Sequence, residues 1–212
     1  MKTILCYGDS LTWGYNAVGP GRHALQDRWP SALQAALGSG VHVIADGLNG
    51  RTTAYDDDLS GADRNGAKTL PTVLATHAPL DLVILLLGTN DMKPWIHGSP
   101  LVAKHGIARL INIVRGNDYP MDWPAPKILI VAPPAIRDAQ DAEFAELFAG
   151  AALLSKRLAR LYADLAKATG CGFFDAGTVA STTPLDGIHL DAENTRRLGE
   201  ALAPVVRGML EI

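Results

Sequence analysis

Residues 3–13 read Thr3-Ile4-Leu5-Cys6-Tyr7-Gly8-Asp9-Ser10-Leu11-Thr12-Trp13. A run of β-prone residues is followed by a glycine and two small polar residues that can turn the chain and cap a helix. Apolar side chains on consecutive rather than alternate positions suit a strand covered on both faces, as in a parallel sheet. Further runs of this kind occur at 41–45, 82–87, 127–132 and 172–174. Between them, 29–37 has apolar residues at helical spacing, 101–114 repeats Leu and Ile at three- and four-residue intervals, and 143–168 is a long Ala/Leu-rich segment. Residues 191–209 close the chain as another helix, with Asp191 as its N-cap. This alternation predicts a single α/β domain over 1–212, a three-layer α/β/α, flavodoxin-like fold with a five-stranded parallel sheet. Segments 14–22, 56–66 and 117–126 lack periodicity and read as loops.

The composition agrees with one globular core: 212 residues, 48% hydrophobic and 19% charged. A net charge of -3 supplies no broad basic field, which argues against nucleic acid or an anionic membrane as partner and for a small or neutral substrate. The first apolar run is stopped by Gly8-Asp9, short of the roughly 7–15 apolar residues of a secretory signal, so a cytoplasmic location is expected. The aliphatic run at 82–87 is far below the roughly 20 residues that span a bilayer. Cys6 and Cys171 have neither disulfide nor metal-ligand spacing and read as buried structural thiols.

Ligands of such sheets bind outside the carboxyl ends of the strands. There the chain carries Gly8-Asp9-Ser10-Leu11, then Asp46-Gly47-Leu48-Asn49-Gly50, then Gly88-Thr89-Asn90-Asp91, and, after the last strand, Asp186-Gly187-Ile188-His189. Each cluster alone has an ordinary structural reading as a turn or helix cap. Together they place a serine, an acid, a histidine and oxyanion donors on separate loops of one expected edge.

These four blocks resemble those of the GDSL, or SGNH, hydrolases, in the same order from residue 4 to residue 189. Gly8 through Trp13, Leu48-Asn49-Gly50-Arg51-Thr52-Thr53 and Asp186-Gly187-Ile188-His189 are similar to the bacterial arylesterase/acyltransferase branch. At Gly50 the chain departs from that branch and keeps the superfamily glycine. The resemblance implies Ser10 as nucleophile, His189 as base, Asp186 as the acid that orients it, and an oxyanion hole of Ser10, Gly50 and Asn90. It also implies a homo-oligomer. The chemistry is consistent with these roles. A serine hydroxyl needs a neighbouring base, and the charge that develops on the former carbonyl oxygen needs positioned N–H donors.

Asp9 is read as holding the turn, Arg51 as bracing its loop, and Trp13 as a candidate substrate-binding wall, with Trp95 a weaker one. An EF-hand starting at Asp56 fails because Ala67 stands where a bidentate carboxylate is required. Residues 61–69 miss the phosphate-loop spacing by one residue, and no G-x-S-x-G or H-E-x-x-H occurs. Neither metal nor cofactor is expected. The leading expectation is a serine esterase for short-chain acetyl or aryl esters, able to pass its acyl group to alcohols or peroxide as well as water. Carbohydrate acetylesterase and thioesterase are the alternatives within that chemistry. A non-enzymatic flavodoxin-like binding module is the alternative from another class, and it gives no reason for His189 to follow Asp186 by three residues.

Overall fold

Neighbouring residues of the first strand serve two different cores. Leu5 and Tyr7 pack into one cluster while Ile4 and Cys6 pack into another, and all four are fully buried. A computed structural model describes residues 1–19 and 21–212; Pro20, within the expected 14–22 loop, lies outside the described residues. The main strands are β1 (Lys2–Gly8), β2 (Val41–Gly47), β3 (Leu82–Leu86), β4 (Lys127–Ala132) and β5 (Gly172–Asp175). They pair in parallel in the order β2-β1-β3-β4-β5, the flavodoxin-like order.

The helices are α1 (Ser10–Trp13), α2 (Trp29–Leu37), α3 (Gly66–His77), α4 (Pro100–Gly116), α5 (Ala142–Leu147), α6 (Leu158–Thr169) and α7 (Ala192–Leu210). On one face of the sheet, Leu70 and Leu74 of α3, Ile107 and Leu110 of α4, and Tyr162 of α6 pack on Leu5, Val83, Leu85 and Ile130. On the other, Trp29 and Leu33 of α2 and Leu198 and Leu202 of α7 cover Ile4, Ile84, Leu86 and Val131. Each fully buried aliphatic side chain stabilises the fold by about 1.5–3 kcal/mol, which is why the central strands carry no alternating polar positions. The strand order changes direction at β1, between β2 and β3, and opens a crevice above the ends of β1 and β3 where the polar clusters gather.

Three expectations need correction, and one helix had no counterpart among them. The segment 143–168 is not one helix: Gly150 sits at φ 77 in the left-handed region and separates α5 from a short turn, Ala151–Leu154, that leads through Ser155–Arg157 into α6. Helix α3 went unread because Gly66 and Pro71 disguise it; the Asn65 side chain caps it by accepting from Ala67 N at 3.0 Å. Within 14–22, Tyr15–Asn16 pairs antiparallel with Gly21–Arg22. Cys6 is buried as expected, but Cys171 is only half-buried because it precedes the edge strand β5, where Arg115 Nη2 reaches its Sγ at 3.4 Å.

Candidate active site

β1 ends at Gly8, and the chain turns at Asp9 into α1. The Asp9 carboxylate caps that helix, accepting from Leu11 N at 2.9 Å, so Asp9 holds the turn and Ser10 opens the helix facing the crevice. From the far end of the chain, Asp186 folds its own loop. Its Oδ1 accepts the N–H groups of Ile188 and His189, both at 2.9 Å, and its Oδ2 lies 2.6 Å from His189 Nδ1. The three-residue spacing is therefore the spacing of a side-chain-stabilised turn that returns the imidazole to its own acid. The opposite ring nitrogen, Nε2, lies 2.8 Å from Ser10 Oγ. Since a carboxylate only accepts, Nδ1 carries the proton and Nε2 is left to accept from the serine.

Ser10, Asp186 and His189 are each less than a tenth exposed. Burial pushes the Asp186 carboxyl up, but the hydrogen bond and charge of His189 and the two backbone N–H groups outweigh it and hold Asp186 below the usual carboxylate range. Asp9 behaves oppositely: full burial, with Asp91 nearby, pushes it up to about 7 against the pull of the Leu11 N–H, Arg51 and Lys93.

The loop after β2 is held by Arg51, as expected. Its Nη1 donates to the carbonyls of Gly8 at 2.8 Å and Asp46 at 2.7 Å, its Nη2 pairs with Asp46 Oδ1 at 2.7 Å, and its guanidinium lies 4.0 Å from the Tyr7 ring centre. Gly50 sits at φ 81, and a Cβ there would meet only ordinary contacts, so the backbone conformation rather than lack of space calls for glycine. The Leu48 N–H donates to Gly8 O at 3.1 Å across the end of the β1–β2 pair, and the Arg51 N–H donates to Leu48 O at 3.0 Å within the turn. Ser10, as the first residue of its helix, has no intrahelical acceptor for its own N–H.

Asn90 follows β3, and its Nδ2 donates to Arg51 O at 3.1 Å, with Asp9 Oδ2 at 3.4 Å. Asp91 ties the two loops together by accepting from both the N–H and the hydroxyl of Thr53. Ser10, Gly50, Asn90 and His189 thus line one cavity of about 220 Å³.

The rest of that cavity was not read from the sequence. Tyr15 stacks on the His189 imidazole with ring centres 4.1 Å apart, and Phe144 meets it edge-on at 5.9 Å. Leu147, Phe148 and Lys93 complete much of the wall. Trp13, the expected wall, does not line this cavity among the described residues; its ring lies under the Arg22 guanidinium at 4.6 Å. The turn at Gly14 sends the chain back so that Tyr15 faces the imidazole in its place. Trp95 is also outside the cavity wall, donating to Asp57 Oδ1 at 3.3 Å. The signal for Tyr15 was an aromatic just after the helix that Ser10 opens, and Phe144 carried none that distinguished it from a core residue.

Among the described residues no helix is long and apolar enough to cross a membrane. The model of the GDSL-like lipase/acylhydrolase family matches residues 6–197. A carbohydrate acetylesterase family member from Sinorhizobium meliloti is 63% identical, with a TM-score of 0.98 and full coverage of both chains. The native aryl esterase of M. smegmatis is 43% identical with a TM-score of 0.94, over 99% of this chain and 100% of that one. An acetylxylan esterase of Xylanibacter ruminicola is 23% identical over 226 residues, and the chain spans 43% of that relative's length. With the family pattern running through nearly all of its length, the chain belongs to the GDSL-like lipase/acylhydrolase, or SGNH, family and is a carboxylic ester hydrolase.

Proposed function

We propose that this esterase removes short acyl groups, acetyl above all, from carbohydrate esters through an acyl-serine intermediate. The hydrogen-bonded series Ser10–His189–Asp186 at the wall of a small cavity carries this reading. As Ser10 Oγ bonds to the acyl carbon, its proton passes to His189 Nε2; the same proton then goes to the departing alcohol oxygen, leaving the acyl group on Ser10. Water next gives a proton to Nε2 and adds to the acyl carbon, and the proton returns to Ser10 as the acid leaves. Asp186 stays ionised and fixes the tautomer.

For the oxyanion, the donors are the N–H groups of Ser10 and Gly50 and the amide of Asn90. An Asn90 N–H held only by a 3.4 Å contact to Asp9 is readily drawn to a closer, charged acceptor. Asn90→Ala is expected to lower kcat about 10²–10³-fold with little change in KM. Steady-state kinetics decides, and an effect confined to KM would remove Asn90 from the oxyanion hole.

The short-acyl preference is supported by a small cavity of about 220 Å³ lined by Tyr15, Phe144 and Phe148. Carbohydrate acetates are favoured over aryl esters as the substrate class by the 63% identical relative. On ester series from acetyl to decanoyl, with acetylated sugars alongside, kcat/KM should be highest for acetyl and drop about tenfold or more for the longest chains. Equal cleavage of decanoyl and acetyl esters would defeat this reading. Assembly as a homo-oligomer, which rests on the resemblance to the arylesterase/acyltransferase branch, is measured by light scattering.

A further inference from the structure

The buried imidazole of His189 has a tyrosine ring laid across its face. The ring centres of Tyr15 and His189 are 4.1 Å apart and the two planes are tilted by 32°, so the contact is a stack. Asp186 meets the same imidazole elsewhere, at its edge, through Nδ1. The two partners therefore do not compete for one side of the ring.

Tyr15 is fastened in this position from both sides of the site. Gly14, at φ 89, turns the chain directly after α1 and donates its N–H to Ser10 O at 2.9 Å. Tyr15 then pairs antiparallel with Arg22, whose Nε donates to Trp13 O at 2.6 Å. The next residue, His23, donates its backbone N–H to Gly14 O at 2.8 Å, and its Nε2 donates to the carbonyl of Leu190 at 2.9 Å, one residue beyond His189. One arm of the chain thus bonds both to the helix that Ser10 opens and to the loop that carries His189. A ring held in this way is already in place before the reaction starts.

What changes during turnover is the charge beneath the ring. As Ser10 Oγ bonds to the acyl carbon, the carbonyl electron pair moves onto its oxygen, the Ser10 O–H bond breaks and an N–H bond forms on Nε2. The neutral imidazole becomes an imidazolium. The face of an aromatic ring is negative and attracts a cation within about 6 Å of its centre, more strongly where water is excluded. The stack is therefore worth more in the transition state than in the resting enzyme, which is the condition for it to accelerate the reaction.

We propose that Tyr15 is a positioning residue of the reaction, its ring face stabilising the imidazolium form of His189 while the proton is held on Nε2. This rests on the triad reading above and adds a fourth side chain to it. Tyr15→Leu should lower kcat and kcat/KM together by about tenfold with KM little changed, and Tyr15→Phe, which keeps the face and drops the hydroxyl, should retain most of the activity. A finer series places phenylalanine and its mono-, di- and trifluoro derivatives at position 15. Ring size hardly changes along it while the negative face fades, so log kcat should fall stepwise with each fluorine.

A constant kcat along the fluorinated series would overturn the proposal and leave the triad standing. So would a Tyr15→Phe loss as large as that of Tyr15→Leu, which would assign the effect to the hydroxyl. An effect confined to KM would make Tyr15 a wall for the substrate and overturn its part in proton transfer. A wild type that is neither labelled at Ser10 by an organophosphonate nor active on acetyl esters would overturn the triad reading and this one with it.

Discussion

Ser10→Ala is expected to lower ester turnover by about a millionfold, the scale found when a serine hydrolase loses its nucleophile. The loss is this large because, among the described residues, Ser10 Oγ is the hydroxyl on His189 Nε2, while the oxyanion donors alone sustain only a residual rate, about 10³–10⁴-fold above the uncatalysed reaction. The fold should survive, since the substitution removes one oxygen whose partner is an imidazole at the cavity wall and leaves the Asp9 cap of α1 untouched. Turnover, organophosphonate labelling and a thermal melt on the same preparation make the comparison. A variant that melts like wild type and still hydrolyses acetate at a substantial rate would reject Ser10 as nucleophile.

His189→Ala should be as inactive as Ser10→Ala, because a proton that cannot leave the serine and a nucleophile that is absent stop the same step. Asp186→Asn should cost about 10⁴-fold in kcat, by turning the imidazole to the wrong tautomer. The carboxylate accepts from three N–H groups of its own loop, two backbone and one imidazole. An asparagine has one oxygen for all of them and presents an N–H₂ to whatever faces the other side. Asp186→Asn is therefore expected to loosen the 183–189 turn as well, and a lower melting temperature should accompany the kinetic loss. Wild-type turnover by Asp186→Asn would send the search to a different acid.

Much of the fold was legible because sheet chemistry is written locally. Ile4-Leu5-Cys6-Tyr7 and the run at 82–87 are apolar on successive positions, and such strands need cover on both faces. Helices with a continuous apolar stripe, such as α4 and α7, were readable for the same reason. Helix α3 was not, since Gly66 and Pro71 are breakers in isolation, and what keeps the segment helical is the burial of Leu70 and Leu74 in the core. The break at Gly150 had the opposite cause: an alanine- and leucine-rich stretch looks continuous until a single left-handed residue redirects it.

The sequence by itself determined the strand-end chemistry: a serine after β1, a glycine after β2, an asparagine after β3 and an Asp-x-x-His turn near the end. Those residues could be named because turn chemistry and acid–base chemistry demand specific side chains at short, fixed spacings. Only the tertiary structure decided that Ser10 and His189, 179 positions apart, meet at 2.8 Å, and that Tyr15 rather than Trp13 covers the imidazole. It alone decided that Phe144, Leu147 and Phe148 line the same cavity as Ser10. Such contacts depend on how separate loops lie above the sheet, which is set by packing between distant segments and leaves no periodic trace in the chain.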